Sequence, residues 1–111
     1  MDCIFCKIAE KKIPSEIIYE DDKFMVFRDI KPVAPVHLLA IPKRHIPSVD
    51  HLEVKDRGLM GELILLSQKV ANEQGVSEKG YRLAFNVGRD AGQTVEHLHL
   101  HLLGGKKLSW P

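Results

Sequence analysis

"HLHLHLLGG", residues 97–105, places three histidines on alternate positions and closes with two glycines. The chain has 6 histidines, so half of them fall in this one segment. On a helix, His97 and His101 would share a face while His99 pointed nearly opposite. On a strand, successive side chains alternate, so His97, His99 and His101 line one face and Leu98, Leu100 and Leu102 the other. The strand makes better use of all six. Its leucine face is expected to be core, and Gly104-Gly105 to be the stop. The other face then carries imidazoles spaced about 6.5–7 Å along one strand, each able to serve as acid, base, nucleophile or ligand near neutral pH. Three histidines merely filling such a face would leave titratable groups without partners. A metal cage, a catalytic set and a division of labour between the two stay open on this segment alone.

The flanking sequence supplies the sheet that such a strand needs. "EIIYE" and "FMVFR", joined by the polar "DDK", read as a β-hairpin. "VHLLAIP" is a third strand, apolar nearly throughout and so expected at the sheet centre. "YRLAFNV" is a fourth, and the loop "GRDAGQT" leads to the histidine strand as the fifth. Between the third and fourth runs a long helix from about Glu53 to Gln74, with Leu59, Leu63, Leu66 and Val70 at helical spacing and Gly75 as its stop. Its "LILL" run, Leu63 to Leu66, wraps past a single face, through either a broad contact with the sheet or a subunit interface. Asp2 is expected to cap a short helix through about Glu10, with Ile4, Phe5 and Ile8 as its apolar side and Pro14 beyond its end. Strands with one long helix give an α+β fold in layers.

At 111 residues the chain reads as a single domain, 1–111, able to bury a core. Its 44% apolar and 28% charged composition is that of a soluble globular protein. Net charge is +1, and the basic residues come in pairs (Lys11-Lys12, Lys43-Arg44, Lys106-Lys107). A polymeric nucleic acid would demand a concentrated basic face, so none is expected as partner. No membrane-length apolar stretch occurs, and "MDCIFCKIAE" lacks the pattern of a signal peptide. The expected location is the cytoplasm, where two cysteines act as thiols or ligands more readily than as a disulfide.

Two further motifs bear on the triad. Cys3-Ile4-Phe5-Cys6 has the C-x-x-C spacing, but no strand precedes it as a thioredoxin-like role would require. As half of a structural zinc site it would need two histidines, His45 after "IPKR" and one member of the triad being the candidates. The loop "GRDAGQT" has no P-loop lysine. Gly88 and Gly92 would nevertheless let backbone N–H groups face an anion, with Gln93 and Thr94 adding side-chain donors, so it is a candidate phosphate cradle beside the histidines.

These residues together resemble the histidine-triad family, whose signature is histidine-apolar-histidine-apolar-histidine followed by two apolar residues. The likeness spans the chain through "IFCKI", "IPSEIIYEDD", "FRDIKPVAPVHLLAIPKRHI", "GYRLAFNVGRDAGQT" and "HLLGGKKLSWP". "HLLGG" is similar to the nucleotide-binding, phosphoramidase branch. The resemblance implies an antiparallel five-stranded sheet with one long and one short helix, the sheets of two subunits joined in a homodimer through the long helix and "YRLAFNV". It also implies hydrolysis of purine nucleoside phosphoramidates to a monophosphate and an amine. His99 would be the nucleophile, His101 would bond the phosphate, and Thr94 would assist the leaving group. Asn86 would fix the phosphate or sugar, Asp29 the ribose hydroxyls, and Ile4, Phe5, Ile8, Phe27 and Ile30 would wall the purine, with Gly92 and Gln93 beside the phosphate. No catalytic metal is implied, cationic histidines meeting the phosphate charge. Cys3 and Cys6 resemble the zinc-binding subset, in which His45 and His97 complete a structural site. Two positions depart from the branch: Thr94 stands where serine is common, and Glu96 where a larger neutral residue is. The rival reading from another class is a nucleotide sensor or scaffold with negligible turnover.

Overall fold

The computed structural model describes residues 3–110. Strands β1 (Ile17–Glu20), β2 (Phe24–Arg28), β3 (Val36–Pro42), β4 (Tyr81–Ala84) and β5 (Leu100–Gly104) form one antiparallel sheet in the order β1-β2-β3-β5-β4. The β1–β2 hairpin closes because the Asp21 carboxylate accepts the backbone N–H groups of Lys23 and Phe24, both at 2.8 Å, which turns the chain on its own side chain. β3 sits at the centre, as its largely apolar run predicted.

Alternation along the central strands divides the core in two. Phe24, Val26, Leu38, Ala40, Leu98, Leu100 and Leu102 face helix α2 (Arg57–Glu73), which sends Leu63, Leu66 and Val70 against them. Met25, Phe27, Leu39 and Ile41 face the other way, toward helix α1 (Ile4–Ala9) and its Phe5 and Ile8. Each of the larger side chains among these contributes about 1.5–3 kcal/mol by leaving water, so both layers hold the sheet. At six residues α1 is too short to persist alone and depends on that packing. Asp2, its expected cap, lies outside the described residues; Cys3 occupies the N-cap, its sulfur accepting the Cys6 N–H at 3.3 Å.

Three boundaries differ from expectation. The long helix starts at Arg57, because Val49–His51 and Val54–Asp56 are separate 3-10 turns. Asp56 fixes that start by accepting the Glu53 N–H at 2.9 Å and pairing with Arg44. The histidine strand enters the ladder only at Leu100, and the "YRLAFNV" strand ends at Ala84, opposite His101. The cause is one hydrogen bond: Leu98 N–H goes to the Ile46 carbonyl at 2.6 Å, drawing residues before Leu100 away from β4. Beyond Ala84 and His101 the two segments are no longer paired, and Asn86, Thr94 and His99 from them line a cleft. Among the described residues no helix is long and apolar enough to cross a membrane.

Candidate active site and metal centre

The cleft, of about 360 Å³, opens on the α1 side of the sheet. His99 and His101 line it, with Asn86 and Thr94 from the flanking loop, Asp29 from the end of β2, and Phe5, Ile8, Phe27 and Leu39 as an apolar wall. Ile30 is 87% exposed at the same cleft, so it stands at the mouth and not in the core. Gly92 also lines it, with φ +83°, a left-handed conformation that glycine adopts without strain. Ile13, Pro14, Ser15, Arg28 and Lys31 line it too, and sequence reasoning singled out none of them for the site. Gln93 is spent elsewhere. Its amide oxygen accepts the Gly88 N–H at 2.9 Å, and its nitrogen donates to the Pro47 and Val95 carbonyls. Gln93 and Gly88 thus brace the loop, and Gly92 and Thr94 line the cleft. Glu96 is exposed and outside the lining of the cleft.

The protonation pattern of the imidazoles follows from their fixed partners. His99 Nδ1 lies 2.7 Å from the His97 carbonyl, which can only accept, so Nδ1 carries a proton and the lone pair of the neutral ring belongs to Nε2. Phe5 meets the His99 ring edge-on at 5.1 Å between centroids, holding its orientation. His101 is pushed down to about 4, first by burial and then by the neighbouring His99 and His37, with Asp29 opposing. Burial thus favours the neutral imidazole of His101 where no anion lies beside it. One central residue escaped the sequence reading altogether. His37, buried on β3, has Nε2 3.0 Å from His101 Nδ1 and 3.3 Å from an Asp29 oxygen. Its signal was available, a lone histidine inside the otherwise apolar "VHLLAIP".

The first triad histidine turns away to a second centre. His97 is fully buried; its Nε2–H donates to the Pro42 carbonyl at 2.8 Å, so Nδ1 keeps a lone pair. That nitrogen lies 3.3 Å from Cys3 Sγ, 3.5 Å from Cys6 Sγ and 3.2 Å from His45 Nδ1, and Cys6 Sγ is 3.4 Å from His45 Nδ1. All four ligand atoms fall within 4.8 Å of one another. Tetrahedral zinc with bonds of about 2.0–2.3 Å needs ligand separations of about 3.3–3.8 Å, so the group fits the ion closely. Without metal, burial foremost and the adjoining Cys3 push the Cys6 thiol up to about 11. A cation reverses that by holding the thiolate. The sequence brought Cys3, Cys6, His45 and His97 forward as ligands, and the fold brings them together.

A family model described as "Scavenger mRNA decapping enzyme C-term binding" matches residues 2–109. An uncharacterised HIT-like protein of Synechococcus elongatus is 47% identical over 110 residues, covering 99% of this chain and 96% of its own. The crystal structure of a HIT family hydrolase from Legionella pneumophila superposes with a TM-score of 0.97 at 47% identity, covering 99% of this chain and 98% of the other. The chain belongs to the histidine-triad family. Within that family, a Zn-bound protein from Mycobacterium smegmatis is 34% identical with a TM-score of 0.82, covering 99% of this chain and 81% of its own. The Cys3, Cys6, His45 and His97 cluster accordingly points to zinc.

Proposed function

We propose that this histidine-triad protein is a hydrolase of purine nucleoside phosphoramidates. The observation that carries the reading is the His99 tautomer. Donation of Nδ1–H to the His97 carbonyl leaves Nε2 as a nucleophilic lone pair in a cleft that also holds an apolar wall and a carboxylate. In the proposed reaction, Nε2 attacks phosphorus in line and the P–N bond breaks. The amine departs with a proton relayed from solvent through Thr94. The nucleotidyl-histidine is then hydrolysed, releasing the monophosphate and restoring His99. Two modest displacements replace one difficult one. His101 would donate a hydrogen bond to the phosphate, and Gly92 and Asn86 line the same cleft. Asp29, an acceptor only, suits the ribose hydroxyls. Ile30 would leave water when a purine enters between it and Phe5, Ile8 and Phe27.

Zinc takes no part in the proposed chemistry. When bound, it would cross-link α1 to the approach of β5 and so hold Phe5 against His99. A second copy of the chain is the proposed partner. Ile64 and Leu65 remain 46% and 64% exposed on α2, and β4 is an edge strand, so helix and strand together offer an apolar face and unpaired backbone. The cytoplasm is the proposed location. A fluorogenic adenosine phosphoramidate tests the function directly. Release of the amine at rates far above the buffer control supports the hydrolase; nucleotide binding without turnover would replace it with the sensor reading.

A further inference from the structure

His37 has no part in the chemistry above, yet it sits between two groups that do. The backbone N–H of Val33 donates to His37 Nδ1 at 3.1 Å. A donor there requires a lone pair, so the single proton of neutral His37 is on Nε2. That proton has two acceptors in reach: Asp29 Oδ2 at 3.3 Å and His101 Nδ1 at 3.0 Å. It cannot serve both fully.

The same three side chains, Asp29, His37 and His101, are close enough to hold a cation. Binding a metal at His37 Nε2 would move the imidazole proton to Nδ1, against the Val33 N–H. The hydrogen bond from Val33 therefore favours a proton-sharing chain over a metal site.

The consequence lies in what each acceptor does next. When His101 Nδ1 receives the His37 proton as a hydrogen bond, His101 must carry its own proton on Nε2, the nitrogen left to the cleft. When Asp29 draws that proton instead, His101 is free to adopt the other tautomer, whose Nε2 lone pair would repel a phosphate oxygen. Asp29 Oδ1 already accepts the Lys31 N–H at 2.8 Å, so Oδ2 is the oxygen a ligand can alter. Hydroxyl groups that donate to Oδ2 weaken its hold on His37 and release the proton toward His101. We infer that His37 is a positioning residue that couples a vicinal diol on Asp29 to the donor tautomer of His101, so that ribonucleosides are selected over deoxyribonucleosides in the chemical step as well as in binding. This rests on the proposed roles of Asp29 and His101, since a diol must reach the one and a phosphate the other.

The test compares adenosine and 2',3'-dideoxyadenosine phosphoramidates on wild type, His37→Leu and His37→Gln, each checked for folding by circular dichroism. For the wild type the missing diol should lower kcat tenfold or more, beyond any rise in KM. In His37→Leu both substrates should be slow, with the kcat ratio near one while the KM ratio persists. A glutamine amide reaching the Nε2 position has two hydrogens, one for each acceptor. His37→Gln should therefore recover kcat on both substrates, again with a ratio near one. A dideoxy effect confined to KM in the wild type, or an unchanged kcat ratio in folded His37→Leu, would overturn the coupling. Absence of turnover on the ribose substrate would instead count against the hydrolase reading. In that event ¹⁵N spectra of the histidine rings decide the coupling. AMP should shift His101 to the Nε2–H tautomer in the wild type and 2',3'-dideoxy-AMP should not; identical shifts with both would overturn it.

Discussion

The three triad histidines are chemically alike, and their neighbours divide the work. His99 Nδ1 is tied to the His97 carbonyl, burial pushes the His101 ring toward its neutral form, and His97 is buried against two sulfurs. Alanine at each position should therefore fail differently. His99→Ala should lose turnover by several orders of magnitude while nucleotide binding persists, because the apolar wall and Asp29 are untouched. His101→Ala should cost less, removing a donor but not the attacking atom. His97→Ala should act chiefly on melting temperature and metal content. Mass spectrometry of a quenched reaction should locate the nucleotidyl adduct on His99; an adduct on another histidine would refute the assignment. His101 also makes a pH prediction. Its folded value of about 4 lies below the ordinary 6.5, so on acidification the unfolded chain takes up the proton first. His101 thus lowers stability progressively as pH falls from about 6.5 to about 4, and its effect is absent above that window. Melting curves for wild type and His101→Gln should converge as pH drops through this range, and parallel curves would reject the burial argument.

Helix α1 shows how little a short segment decides for itself. Six residues with a cysteine cap cannot hold a helix, so α1 is stable only where Phe5 and Ile8 pack and where its sulfurs meet His45 and His97. Cys6→Ser should lower the zinc content, lower the melting temperature by several degrees and loosen α1, measurable as faster amide exchange over residues 4–9. Turnover by the remaining folded protein should survive, since no ligand of that cluster lines the cleft except through Phe5. Equal metal content and equal melting in the two proteins would dismiss the site. Loss of all turnover with the fold intact would show the metal to be more than structural.

Among the described residues no strand pairs with the outer edge of β4, and one face of α2 keeps Ile64 and Leu65 exposed. Gly61, Ile64 and Leu65 fall at helical spacing on that face, and a Cβ at Gly61 would meet nothing within 4 Å, so a neighbouring helix can approach closely there. Sedimentation at micromolar concentration should give about twice the 12.6 kDa chain mass. Leu65→Glu should yield a folded monomer, since Leu65 contributes little to the chain's own core. A wild type that sediments as a monomer would rule out the second copy.

What could be read from the chain alone was whatever depends on short-range periodicity and residue type. Alternation placed the leucines inward and the histidines together, the largely apolar run Val36–Pro42 marked a central strand, and cysteines at i and i+3, if half of a zinc site, called for two histidines. These properties reside in neighbouring residues, so they survive without coordinates. The family resemblance added the residue roles, and the fold then gathered Asp29, Asn86, Thr94, His99 and His101 around one cleft. Other features depended on contacts between residues far apart in sequence. The short reach of β4 and β5 follows from Leu98 bonding Ile46, Gln93 was diverted from the cleft by Gly88 and Pro47, and the neutrality of His101 comes from burial beside His37. His37 itself looked like one more residue of an apolar strand. Its importance is a matter of which atoms surround its two nitrogens, and those arrive from Asp29, Val33 and His101 only when three segments meet.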